Sequence, residues 1–81
     1  MELKDTVDMM LSTDYKERFK AEYYQLAIRC RELRDMLARW DAGELDFTPA
    51  YPRESYNAQV HAMYKYLYVM EHRAKYEGID L

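Results

Sequence analysis

Tyrosines, histidines and basic residues recur along the second half of the chain in a pattern that could bind a small anion carrying an aromatic base. A tyrosine ring stacks on purine bases, and an ammonium or guanidinium group can hold a phosphate. Imidazole donates to phosphate most strongly near or below about pH 6.5, where it gains its second proton. The candidate ligand-binding residues are His61, Tyr64, Lys65, Tyr68, His72 and Arg73.

The tyrosines also allow a second interpretation, because the chain contains nine of them among 81 residues. Tyrosine combines an apolar body with a polar tip, which suits protein interfaces that are half wet. The tyrosines could therefore pack between subunits with their hydroxyls satisfied. The alternative is a shared pocket at an oligomer interface, where Tyr64 and Tyr68 stack on a base while Lys65 or Arg73 holds a phosphate.

Neither catalysis nor metal binding is indicated by the residue pattern. His61 and His72 would lie three helical turns apart, about 16 Å, so one chain cannot chelate a metal with both. The glycines are Gly43 and Gly78 alone, which excludes a glycine-rich phosphate loop, and no known catalytic motif is present. We therefore expect a non-enzymatic protein with no catalytic residue, no metal site and no cofactor.

Two further groups could be mistaken for reactive ones. Glu22 flanks the predicted core of the first long helix, and we expect it to form an ion pair with Arg73 or Lys75 across a hairpin. Cys30 is the single cysteine, so no intrachain disulfide can form. Because it lies among core positions, we expect a buried, inert thiol in a reducing cytosol.

The elements that must position these residues are two amphipathic helices. Apolar residues recur at alternating steps of three and four, which keeps them within a narrow wedge of an α-helix. The first stripe consists of Phe19, Tyr23, Leu26, Cys30, Leu33, Leu37 and Trp40. The second stripe consists of Tyr56, Val60, Met63, Leu67, Met70 and Ala74. The pattern predicts an all-α antiparallel helical hairpin in which the two stripes pack against each other.

Helix start and stop signals divide the chain. We expect one domain over residues 1–81, with a short helix at 2–11, a first long helix at 14–41, a connector at 42–53 and a second long helix at 54–77. Asp14 followed by Glu17 is typical of a capping box, and Gly43 and Gly78 are typical helix stops. The N-terminal helix is too short to be stable unless it docks on the rest.

The apolar surfaces exceed what a hairpin can bury. The second long helix is apolar or aromatic nearly all round, with Ala62, Tyr66 and Val69 on the side away from its core stripe. A smaller second patch on the first long helix consists of Ala21, Tyr24 and Ile28. These surfaces predict a homo-oligomer, a dimer or tetramer, in which the second long helix packs against its copy or against the N-terminal helix.

The charge pattern bears on possible partners. The formal net charge is −3, whereas proteins that bind nucleic-acid polymers usually carry a basic face, so we expect no DNA or RNA partner. The run Arg29, Arg31, Arg34 and Arg39 is interpreted as a solvated helix face with pairs such as Asp35 with Arg39. No basic, apolar leader and no apolar run of roughly 18 residues occurs, so we expect no membrane association.

Three stretches, residues 14–26, 45–52 and 59–74, resemble small helical-hairpin proteins of crAss-like phages and clostridial prophages. The resemblance covers nearly the whole chain and follows the pattern Tyr-x-x-Arg…Glu…Gln-x-x-x-Met-x-x-Tyr. The pattern falls on Tyr15, Arg18, Glu22, Gln59, Met63 and Tyr66. The connector of such proteins often reads Thr-Pro-x-Cys-Pro, and Tyr51 stands in place of that cysteine, so a thiol role does not carry over.

The resemblance implies a phage or prophage accessory protein that acts in the cytoplasm of the infected bacterial host. By analogy with phage counter-defence sponges, it implies sequestration of a cyclic-nucleotide second messenger, such as those of CBASS and Thoeris immunity, at oligomer interfaces. Two alternatives stay open, because a fold does not fix a function. One is an anti-CRISPR-like inhibitor that targets a host defence protein, and the other is a structural phage oligomer.

Overall fold

The computed structural model describes all 81 residues and contains three α-helices and no strand. Helix α1 spans Val7–Met10 and follows a 3-10 turn at Leu3–Thr6. Helix α2 spans Tyr15–Asp41. Helix α3 spans Tyr56–Glu77 and follows a 3-10 turn at Arg53–Ser55. Helices α2 and α3 pack against each other, and the predicted all-α class is confirmed.

Local side-chain chemistry fixes where α2 begins. The Asp14 carboxylate accepts a hydrogen bond from the backbone N–H of Lys16 at 2.9 Å, which satisfies one of the free donors of the first turn. The expected capping box is not completed, because the Asp14 N–H donates to Ser12 Oγ at 3.0 Å. Glu17 instead forms an ion pair with Lys20 at 3.5 Å.

Both long helices end at the predicted glycines. Gly43 has φ 74° and Gly78 has φ 69°, left-handed values at which glycine has no Cβ penalty. After each glycine, the next N–H reaches back to a carbonyl of the last turn: Glu44 to Arg39 and Ile79 to Ala74, both at 2.8 Å. These bonds reverse the chain, so Ile79 becomes buried against the helices.

The core lies along the α2–α3 seam and is densest at the end of the hairpin away from the connector. Phe19 of α2 packs there with Met70 and Ala74 of α3 and with Ile79, and Tyr23 packs against this cluster. Met70 is completely buried. Every residue of the two predicted stripes is buried or half-buried, so the two heptad patterns identify the packed faces correctly.

The N-terminal segment covers the second patch of α2. The 3-10 turn and α1 both pack on α2, and Ala21 and Ile28 are buried. The buried Thr6 hydroxyl donates to the carbonyl of Leu3 at 2.7 Å and accepts from Gln25 Nε2 at 2.9 Å, so this polar group is fully used. The patch on α2 therefore needs no second copy of the chain to bury it.

The outer side of α3 has no such cover. Tyr66 and Val69 are each almost half exposed, and the molecule is elongated, with extents of 43 × 24 × 17 Å. Its radius of gyration is 15.1 Å, against about 12 Å for a compact domain of this length. No helix combines the length and the apolarity needed to cross a membrane.

Candidate functional site

A groove of about 400 Å³ runs between the C-terminal half of α2 and the N-terminal half of α3, beside the connector. Buried Leu37 and half-buried Val60 are its apolar residues on the two facing stripes. The remaining side chains around it are mostly polar and exposed. The lining residues are Arg34, Asp35, Leu37, Ala38, Asp41, Arg53, Asn57, Val60, His61 and Tyr64.

One cation and one aromatic ring face each other across this groove. Arg34 follows the core residue Leu33 on α2, and Tyr64 follows the core residue Met63 on α3, so both lie at the edge of the packed seam. The Arg34 Cζ lies 5.6 Å from the centre of the Tyr64 ring, a cation–π distance. Arg34 has no carboxylate partner, so its charge is available to a ligand.

A second arginine is held at the connector end of the groove. Arg53 Nε and Nη2 donate to the two carboxylate oxygens of Asp41 at 2.8 and 2.9 Å, and Nη1 donates to Asn57 Oδ1 at 3.0 Å. The hydrogen bond from Arg53 lowers the pKa of Asp41, and the same bond raises the pKa of Arg53. Both groups are therefore charged at neutral pH.

The charges that line the groove cancel within one chain. Arg34 and Arg53 carry two formal positive charges, and Asp35 and Asp41 carry two formal negative charges. Asp35 does not form the expected pair with Arg39. The groove thus offers guanidinium donors, an imidazole and an aromatic face to a ligand, but no net positive charge.

The six residues predicted to bind a ligand fall into three places. His61 and Tyr64 line the groove. Tyr68 and His72 lie next along α3, outside the groove, with ring centres 4.3 Å apart and planes tilted by 45°. Lys65 lies on the same exposed flank, since residues 61, 65, 68 and 72 follow the steps of three and four that align on a helix. We call Lys65, Tyr68 and His72 the outer stripe.

The sixth residue, Arg73, lies on the other side of α3 and does not reach the groove. Its Cζ lies 5.0 Å from the centre of the Phe19 ring. Its Nε donates to Glu77 at 3.2 Å, and its Nη2 donates to the Tyr15 hydroxyl at 3.1 Å. These partners make Arg73 part of the packing between α2 and α3, on a surface separate from the other five predicted residues.

The expected ion pair of Glu22 with Arg73 or Lys75 is wrong. Glu22 instead accepts a hydrogen bond from the Tyr66 hydroxyl, and that bond raises the pKa of Tyr66. A hydroxyl on a rigid ring reaches the neighbouring helix directly, whereas Arg73 is already engaged by Glu77.

Two more tyrosine–glutamate bonds join the long helices. Tyr15 donates to Glu77 at 2.6 Å and Tyr23 donates to Glu71 at 2.8 Å. Burial, with help from Glu71, raises the pKa of Tyr23 to about 12. With the bond from Tyr66, three of the nine tyrosines act as braces within the hairpin, a role that neither interpretation of the tyrosines anticipated.

Five polar residues of the groove are not among the six predicted from the sequence. The sequence pattern places Arg34 and Asp35 on a solvated helix face and gives Arg53, Asp41 and Asn57 no ligand-binding role. Position offered a signal for two of them: Arg34 directly follows a core leucine, and Asn57 precedes His61 by one helical turn. Nothing local marks the pairing of Arg53 with Asp41, because it depends on how the connector folds.

The comparisons with known proteins bear on this site. No curated protein and no solved structure is significantly similar to the chain. The family model described as Sequestin matches residues 13–76, which include α2, the connector, nearly all of α3 and every residue of the groove. The name is consistent with a sequestering role. Because the match covers well over half of the sequence, the chain belongs to the Sequestin family.

Proposed function

We propose that this protein binds a cyclic-nucleotide immune signal and sequesters it without altering it, as a phage or prophage counter-defence protein in the cytoplasm of the infected bacterium. The observation that carries the proposal is the groove, which combines an exposed aromatic face at Tyr64 with the guanidinium groups of Arg34 and Arg53. Membership of a family named for sequestration supports it.

The groove residues divide naturally between base and phosphate. The Tyr64 ring is exposed and offers a stacking surface for a purine, an interaction worth about 1–3 kcal/mol per base. Arg34, which stacks on that ring, is exposed and free of carboxylate partners, so its guanidinium can turn to a phosphate oxygen. His61 adds an imidazole donor on the same wall.

A second copy of the chain completes the site in this proposal. Seven of the ten lining residues are exposed, whereas binding pockets usually bury about 70–90% of a ligand's surface. The groove charges also cancel, while a cyclic dinucleotide carries two negative phosphates. The outer stripe of a partner chain would supply Lys65, Tyr68 and His72 as cover and charge. A dimer or tetramer with closed symmetry meets this need.

Sequestration without chemistry is consistent with the protonation states of the groove. Hydrogen bonding between Asp41 and Arg53 favours the charged form of each, which suits ion pairing better than proton transfer at neutral pH. We therefore propose that the protein is not an enzyme and that a bound cyclic nucleotide is released unchanged.

Calorimetry and native mass spectrometry with a panel of cyclic di- and trinucleotides and cyclic ADP-ribose isomers test the proposal. We expect submicromolar to micromolar binding of at least one panel member to a dimer or tetramer, and chromatography of heat-released ligand should recover the input compound. Tyr64→Ala should weaken binding at least tenfold, about 1.4 kcal/mol. The matched control is Tyr76→Ala, because Tyr76 is 91% exposed and lies near the far end of α3.

Binding of no panel member would refute the sequestration proposal and favour the protein-targeting alternative. The observation behind that alternative is the uncovered side of α3, where Tyr66 and Val69 are each almost half exposed. Val69→Asp would then abolish inhibition of a host defence protein without changing the fold. A purely structural phage oligomer would retain self-association but show neither nucleotide binding nor inhibition.

A further inference from the structure

The Arg53 guanidinium is hydrogen-bonded on two sides: Asn57 orients it from one side, and Asp41 occupies the other. Asn57, four residues later on α3, accepts from Nη1 at 3.0 Å. Asp41, the last residue of α2, occupies the Nε–Nη2 edge with both carboxylate oxygens. That edge is the one that also binds phosphate in a two-point contact, because phosphate and carboxylate oxygens have similar spacing.

Asp41 is the more exposed partner of this ion pair. Its side chain is 57% exposed, whereas that of Arg53 is 29% exposed, so the carboxylate can swing into solvent while the guanidinium stays in place. This exposure lowers the cost of replacing Asp41 by another anion.

We infer that Asp41 is an internal competitor for the phosphate site of the groove: a ligand phosphate displaces it from Arg53, and Asn57 keeps the guanidinium oriented during the exchange. The inference rests on the proposed function in that it assigns one phosphate of the sequestered nucleotide to Arg53. Asp41 thereby keeps the affinity of the groove for a phosphate below the value that an unoccupied Arg53 would give.

Asp35 provides a comparison that distinguishes direct competition for Arg53 from a general effect of negative charge in the groove. Asp35 lines the same groove and carries the same charge, but it has no hydrogen bond or ion pair with Arg53. Removing the charge at Asp35 changes only the electrostatic potential. Removing it at Asp41 also frees the two-point edge of Arg53.

The test compares Asp41→Asn with the matched control Asp35→Asn by calorimetry with cyclic di-AMP and, separately, with pyrophosphate, which has the anionic oxygens but no base. We expect Asp41→Asn to bind about fivefold more tightly than the parent, the factor that corresponds to loss of an exposed two-point ion pair. Asp35→Asn should tighten binding less than Asp41→Asn does, because it removes one groove charge without freeing Arg53. In an Arg53→Lys background, the gain from Asp41→Asn should vanish, because lysine lacks the planar fork.

The outcomes distinguish failure of this inference from failure of the proposed function, except that absence of all binding refutes both. Equal gains from both asparagine variants, or weaker binding by Asp41→Asn, would overturn the competitor role. Failure of the parent to bind any cyclic nucleotide, while pyrophosphate binds and Asp41→Asn tightens it, would refute the proposed function and support the competitor. If pyrophosphate and cyclic nucleotides both fail to bind the parent and Asp41→Asn, the inference falls. Circular dichroism melts confirm that the variants fold.

Discussion

Replacement of Met70 by alanine tests whether the cluster at the end of the hairpin away from the connector holds the fold together. Met70 is completely buried among Phe19, Ala74 and Ile79. Truncation removes three heavy atoms, about 75 Å³, and an unrelaxed cavity of that size costs about 1.8 kcal/mol. Lost transfer free energy adds about 2 kcal/mol, so the free energy of unfolding should fall by about 4 kcal/mol.

That loss is large for a chain of this size. At about 0.05–0.15 kcal/mol per residue, 81 residues give a total of about 4–12 kcal/mol. Urea unfolding followed by circular dichroism at fixed protein concentration should show a lower midpoint with an unchanged slope. Met10→Ala is the control, because Met10 is 46% exposed, and should cost under about 1 kcal/mol. A Met70→Ala midpoint close to the parent's would refute the assignment of this cluster as the core.

Two further predictions concern the tyrosine–glutamate bonds and follow from their pKa shifts. The pKa of Tyr23 is raised to about 12 from an ordinary value of 10.0. The neutral phenol therefore stabilises the fold fully below pH 10, and this stabilisation is lost as the pH rises towards 12. In a plot of melting temperature against pH, Tyr23→Phe should show a smaller fall above pH 10 than the parent. The pKa of Glu77 is lowered, and the largest cause is the hydrogen bond from Tyr15. The ionised carboxylate therefore stabilises the fold above pH 4.5, and this stabilisation is lost as the pH falls further. Glu77→Gln should flatten the acid limb, and an acid limb as steep as the parent's would contradict the assignment.

The packed faces were predictable because their signal is local. Steps of three and four residues identify the stripe from Phe19 to Trp40 without knowledge of any distant contact, and the glycine stops at 43 and 78 depend only on backbone conformation. Ile79 was not predicted as a core residue. It lies beyond the helix stop and becomes buried only because the chain reverses at Gly78.

The site was less predictable because its contacts join distant parts of the sequence. Tyr15 and Glu77 are 62 residues apart, and Tyr23 and Glu71 are 48 apart, so residue type alone could not separate bracing tyrosines from stacking ones. Tyr64 is exposed at the groove, and its role in binding stays a prediction. The position of Arg53 depends on the path of the connector. The connector has no repeating pattern of apolar residues from which that path could be predicted.

The main core cluster and the groove lie at opposite ends of the hairpin. Phe19, Met70, Ala74 and Ile79 lie far from the connector, whereas most groove residues are exposed beside it. Substitutions at exposed positions usually change stability by less than about 0.5 kcal/mol. The groove can therefore accept substitutions one residue at a time while the fold is kept.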